Sequence, residues 1–245
     1  MRLGIIETGK IDPTLAEAHG DYPEMMRRML APELPGLQVV TTSVVAGAAL
    51  PEVAAAEAWL VTGSKHGVYD PLPWIDPLKA FLNEARRAAR PLVGICFGHQ
   101  ILAAAFGGRA EKSDRGWGIG VHRYLTRQRP TWMADACDEL RFHTIHQDQV
   151  TRLPEDTVVL AGSDFCPYAM LAFGDPEAPE AISIQAHPEF QAGYARDLLL
   201  HRRGAPLPPA ATDTALETIG GEVDNAAFAA WTAAYLTSAL AKRRP

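Results

Sequence analysis

One cysteine stands where a short apolar run gives way to small residues, in Gly94-Ile95-Cys96-Phe97-Gly98-His99-Gln100 followed by Ile101-Leu102-Ala103-Ala104-Ala105. A strand that turns sharply into a helix lifts one side chain above the carboxyl end of a sheet, and glycines flanking the turn let the backbone bend that tightly. A thiol in that place is suited to nucleophilic attack, because unpaired amides at a helix N-terminus favour the thiolate. An isolated cysteine in an apolar run is usually core, so the reading depends on partners. Ile184-Gln185-Ala186-His187-Pro188-Glu189-Phe190 supplies them. At the end of a strand, residues i and i+2 point the same way, so His187 and Glu189 face one pocket with Pro188 stiffening the link. A carboxylate on the far imidazole nitrogen fixes the tautomer and leaves the near nitrogen to move a proton. Acyl transfer also needs donors aimed at a developing oxyanion. The amide of Phe97 and the turn at Gly63-Ser64 are the candidates.

The other polar candidates carry less. His99 with His143 or His146 lacks a second cysteine at ligand spacing, so no metal and no cofactor is expected. His146 and Asp148 are read as bracing the site. His19-Gly20-Asp21-Tyr22 is either an approach to the substrate or a helix-entry turn. Cys137 and Cys166 lack the strand-to-helix context and are taken as bystanders. Arg86, Arg87 and Arg90 read as a solvated basic helix end.

The elements that must position these groups follow from periodicity. Arg2–Thr8, Leu37–Val45, Ala58–Thr62 and Pro91–Ile95 are apolar or β-branched runs that read as strands. Later strands are expected near 120–125, 157–161, 169–173 and 181–186. A helix opening at Pro23 carries Met25, Met26, Met29 and Leu30. Another opens at Asp76-Pro77, with Asp76 as N-cap and Leu78, Phe81, Leu82 and Ala85 on one face. Strands alternating with helices predict an α/β fold with a covered, mainly parallel sheet, and the loop-rich stretch 116–150 adds an antiparallel part. Residues 1–203 read as one domain and 204–245 as a connector with a helical extension. That extension starts at Asp224 and carries Phe228, Trp231 and Tyr235 on a stripe, read as packing on its own domain; Lys242, Arg243 and Arg244 complement its dipole.

Composition narrows the class further. The 245 residues are 47% hydrophobic, and 23 basic against 29 acidic side chains leave a charge of -6, which disfavours a nucleic-acid binder. No apolar run is long enough for a membrane span, and an acid at position 7 disfavours a signal peptide. Three cysteines without a CxxC pair suit a reducing, cytoplasmic setting.

The paired motifs resemble the class I, or triad, glutamine amidotransferases, over strand one to about Arg203. Within that superfamily they are most similar to stand-alone members related to the glutaminase domain of GMP synthetase, including γ-glutamyl peptidases. Thr62-Gly63-Ser64-Lys65-His66, His146-Gln147-Asp148-Gln149-Val150 and the C-terminal helix carry that placement. The resemblance implies a flavodoxin-like three-layer sandwich and hydrolysis of a γ-glutamyl C–N bond, in glutamine or a γ-glutamyl peptide, through a cysteinyl thioester. It implies Cys96 as nucleophile, His187 as acid and base, and Glu189 as its orienting partner. Phe97, Gly63 and Ser64 then hold the oxyanion, while Gln100, Trp117 and Gly118 contact the substrate. Gly63-Ser64-Lys65 departs from the Gly-Gly-Pro or Asn-Gly-Pro found where such domains feed a synthetase, which implies a different leaving-group tolerance. A separate synthetase partner and a homodimer are both compatible with this reading. Its rivals are an ammonia-delivering subunit and a non-catalytic binding protein of the same fold.

Overall fold

A computed structural model describes residues 1–242. Its centre is a nine-stranded sheet in the order β2-β1-β3-β4-β11-β10-β9-β6-β7. The strands are β1 (Arg2–Glu7), β2 (Gln38–Ser43), β3 (Ala58–Val61), β4 (Leu92–Ile95), β6 (Gly118–Thr126), β7 (Glu139–His146), β9 (Thr157–Gly162), β10 (Met170–Phe173) and β11 (Ala181–Ile184). From β2 through β11 the neighbours run parallel; from β11 through β7 they run antiparallel. A separate ribbon pairs β5 (Arg109–Lys112) with β8 (Asp148–Arg152).

Alternation along the parallel strands builds two cores. Leu3, Ile5, Ala58, Leu60, Val93 and Ile95 face one side, where α2 (Tyr22–Leu30) and α7 (Asn225–Ala241) pack. Ile6, Trp59, Val61 and Leu92 face the other, against α3 (Ile75–Arg87) and α4 (Phe97–Ala105). Helices on both faces of a mixed sheet are the three-layer α/β sandwich expected. A third cluster, from α1 (Pro13–His19), α5 (Ala192–Arg202) and α6 (Pro209–Thr218), closes the carboxyl end of the sheet.

Phe228, Trp231 and Tyr235 of α7 are buried in the main core, and each such burial is worth about 1.5–3 kcal/mol. Asp224 precedes that helix, but its carboxylate does not cap it. It accepts from the amide of Arg141 at 2.6 Å, while the Asp224 amide donates to the Arg141 carbonyl at 2.8 Å. The residue thus satisfies the outer edge of β7 instead. Asp76 differs similarly: α3 begins at Ile75, and the Asp76 carboxylate accepts from Lys79 at 3.2 Å in the first turn. Lys242 follows the end of α7; Arg243 and Arg244 lie outside the described residues.

Candidate active site

The site arises from strand order. In the sheet β4 lies between β3 and β11, with Gly94 opposite Val61 and Ile95 opposite Ile184. The chains leaving these three strands carry Gly63-Ser64, Cys96 and His187, so residues far apart in sequence emerge side by side at one edge.

Cys96 sits between β4 and α4 at φ 54° and ψ -104°. A non-glycine residue in that region costs of order 1–3 kcal/mol and persists only where its surroundings enforce it. Here its amide donates to the Ile184 carbonyl at 2.9 Å and its carbonyl accepts from Gln100 at 3.1 Å. The residue is only 5% exposed, yet it lines an open cleft of about 650 Å³ together with Ser64, Gln100 and Trp117. Phe97 is the first residue of α4, so its amide has no acceptor within the helix.

His187 directs Nδ1 to Glu189 Oε1 at 2.7 Å, and both side chains are buried. Burial opposes charge on this imidazole, but the Cys96 sulfur and the Glu189 carboxylate outweigh it and push His187 up to about 10. The ring stacks on Phe190, centroids 4.0 Å apart and planes at 11°. Its backbone amide donates to the His143 carbonyl at 2.8 Å. The helix α7 also reaches this segment, because Asn225 Nδ2 donates to the Phe190 carbonyl at 2.8 Å.

The turn after β3 is pinned from β1. Thr8 Oγ1 donates to the Thr62 carbonyl at 2.9 Å, and Ser64 Oγ donates to the Thr8 carbonyl at 2.7 Å. Gly63 lies directly against His187 Cε1 and Cys96 Cβ. The structure therefore brings Cys96, His187, Glu189, Phe97, Gly63 and Ser64 to one locus. Gln100 reaches the cleft wall, but its amide nitrogen is held by the Asp148 carbonyl at 2.9 Å and Gln185 Oε1 at 3.1 Å. Trp117 lines the cleft, whereas Gly118 is buried behind it against Phe165 and His146.

Sequence reasoning passed over Gln185 and Phe190. Gln185 Nε2 lies 3.8 Å from Cys96 Sγ. The period-two rule that aligned His187 with Glu189 also places Gln185 on that side, so a signal existed. The stack of Phe190 under His187 had no counterpart in spacing. His19 and Asp21 belong to a helix entry: the Asp21 carboxylate caps α2 through the Glu24 amide at 2.9 Å, and His19 pairs with Asp197 at 2.8 Å.

His99 is buried with Nδ1 2.8 Å from Ser183 Oγ, and burial pushes it down to about 3. Burial does the same to His146, with His122 adding to the effect. Among the described residues, no group of three or more His, Cys, Asp or Glu side chains is placed to hold a metal ion. Both histidines are neutral in the fold but take up protons near 6.5 once unfolded, so the unfolded state binds more protons in acid. Their contribution is complete above pH 6.5 and is lost as the pH falls toward 3. The unfolding free energy from urea titrations is expected to drop from pH 7 to 4.5, by about 1 kcal/mol per pH unit per histidine, and the midpoint with it. A midpoint constant over that range overturns the assignment of neutral buried rings.

The fold and this edge constellation define an α/β protein with a cysteine-bearing strand-to-helix turn over a mixed sheet. The chain belongs to the glutamine amidotransferase class-I family, whose model matches residues 58–204. It is 27% identical over 140 residues to gamma-glutamyl peptidase 3 of Arabidopsis thaliana, covering 55% of this chain and 55% of that protein. It is 31% identical over 173 residues to a glutamine-hydrolyzing GMP synthase of Thermus thermophilus, covering 69% of this chain and 32% of that one. The chain thus spans about half the length, or less, of these curated relatives. A glutamine amidotransferase structure from Thermotoga maritima matches 98% of both chains with a TM-score of 0.75 and 18% identity, which shows a shared fold. Among the described residues, no helix is long and apolar enough to cross a membrane.

Proposed function

We propose that the protein hydrolyses a γ-glutamyl C–N bond through a thioester on Cys96. The observation that carries this reading is the His187–Glu189 pair at 2.7 Å beside the Cys96 turn, within a chain of the glutamine amidotransferase family. Under this reading the attacking species is the Cys96 thiolate, with its proton held by His187. The sulfur attacks the γ-carbonyl carbon, and the oxyanion takes hydrogen bonds from the Phe97 amide and the Gly63-Ser64 turn. Collapse of the tetrahedral species breaks the C–N bond while His187 gives its proton to the departing amine. Neutral His187 then accepts a proton from water, which attacks the thioester and frees glutamate and the Cys96 sulfur. Glu189 holds the imidazole in register throughout. Three free cysteines fit a reducing compartment, which supports a cytoplasmic setting for this reading.

Purified protein incubated with glutamine and γ-glutamyl dipeptides is expected to release glutamate, with a thioester trapped by hydroxylamine as the hydroxamate. Absence of glutamate from all of these substrates overturns the reading. The likeness to GMP synthase over 69% of this chain favours one second reading, delivery of ammonia to a separate synthetase. Under that reading turnover appears only after a synthetase is added.

A further inference from the structure

The cleft carries a charge pattern that the chemistry at Cys96 does not use. Two acids face it. Asp70 Oδ2 accepts from the Gly67 amide at 3.0 Å and lies 3.5 Å from His66 Nδ1, while Asp148 lines the same cleft with Tyr69 as a neighbour. On the same rim Lys112 makes no ion pair among the described residues, though its charge acts on Asp148. A second hollow of about 320 Å³ adjoins the cleft, and the two share Lys65 and Arg202 in their walls. In that hollow Lys10 is tied to Glu7, and Asp12 is held by Thr14 with His201 nearby.

Two further cations line both hollows. Neither Lys65 nor Arg202 makes an ion pair among the described residues. Arg202 is half-buried at the end of α5, close enough to Tyr22 and Tyr194 for its charge to act on both hydroxyls. A partly desolvated guanidinium without an anion is unfavourable unless a partner arrives, and its planar fork matches a carboxylate with two parallel hydrogen bonds. In a chain of net charge -6, two cations without an acid partner in the wall of the cleft that also holds Cys96 are a local reversal of the general field. The cleft, about 650 Å³, falls within the range of roughly 300–1,000 Å³ that houses drug-sized ligands, more than glutamine needs.

We propose that Arg202 and Lys65 form a carboxylate-binding subsite for the amine half of the substrate, so that the protein prefers γ-glutamyl amides of amino acids or peptides to glutamine. The inference rests on the γ-glutamyl hydrolase reading and names the leaving group which that reading leaves open. The glutamyl half occupies the side toward Trp117 and Gln100. The departing amine lies toward the ridge between the two hollows, with its carboxylate between the guanidinium and the ammonium.

The test is a matched pair of substrates, γ-glutamylalanine and γ-glutamylalaninamide, which differ only in the carboxylate, with glutamine as the third. The full-length protein is expected to show kcat/KM roughly tenfold or more higher for the acid than for the amide, the size of one charge-assisted hydrogen bond. In Arg202→Gln and in Lys65→Gln that ratio falls toward one. A ratio near one in the parent protein, or a ratio that neither substitution changes, overturns the subsite while leaving the hydrolase reading standing. No glutamate from any of the three substrates overturns both.

Discussion

Replacing Cys96 by alanine is expected to end glutamate release from every γ-glutamyl substrate, with kcat/KM falling by at least about 10⁴-fold, the scale of losing a triad nucleophile. The loss should come without collapse of the fold. Alanine has the same Cβ as cysteine, so the left-handed backbone at this position strains it no more than it strains the native residue. The bonds that enforce the turn, to the Ile184 carbonyl and from the Gln100 amide, are backbone bonds and survive the change. Hydroxamate trapping should vanish in parallel, because no thioester can form. Cys96→Ala retaining turnover within about tenfold of the parent would falsify the assignment of nucleophile, since His187 and Glu189 alone supply proton transfer worth only about 10²–10⁴-fold.

The second large effect concerns the fold under the same turn. A methyl group added at Gly98 would lie 2.2 Å from the Val61 carbonyl oxygen and 2.9 Å from its carbonyl carbon. Both atoms are backbone of β3, paired to β4 and β1, and neither can swing aside as a flexible side chain would. Gly98→Ala must therefore push α4 off the sheet, at about 3 kcal/mol or more. For a chain of this size that lowers Tm by about 6–12 °C. Gly220→Ala, where nothing lies within 4 Å, is the control and should stay within about 0.5 kcal/mol. Equal urea midpoints for the two variants would show that α4 does not sit as described. Because the Phe97 amide belongs to the same first turn, Gly98→Ala should lose activity as well as stability.

Much of this site was legible in the residues, and the reasons differ by part. Cys96 announced itself through the change from an apolar run to a glycine-flanked helix start, a local signal. His187 and Glu189 followed from strand periodicity, also local. That Gly63, Cys96 and His187 meet depends on β4 lying between β3 and β11, which no local pattern encodes; the family resemblance supplied it. The positions of the apolar strands along the chain and the buried faces of α2 and α3 were equally plain. Short polar elements were not. The ribbon of β5 and β8 presents charged residues such as Glu111 and Lys112, and α6 buries only Thr212 and Ala215, too little for a stripe. Asp76 misled, because α3 already starts at Ile75 and the carboxylate goes to Lys79; Asp224 does mark the start of α7, but its carboxylate goes to the Arg141 amide. Composition cannot say which of several nearby donors a carboxylate will choose.

The hooks that Asp224 and Asn225 throw onto Arg141 and onto Phe190 make the tail a brace for the imidazole's platform. Loss of the Asn225 contact, in a stretch holding none of the proposed reacting atoms, loosens the aromatic ring on which His187 stacks. Trimming the chain before Asn225 also uncovers the core that Phe228, Trp231 and Tyr235 fill, so a shortened form is expected to weaken in its central strands as well as at the ring.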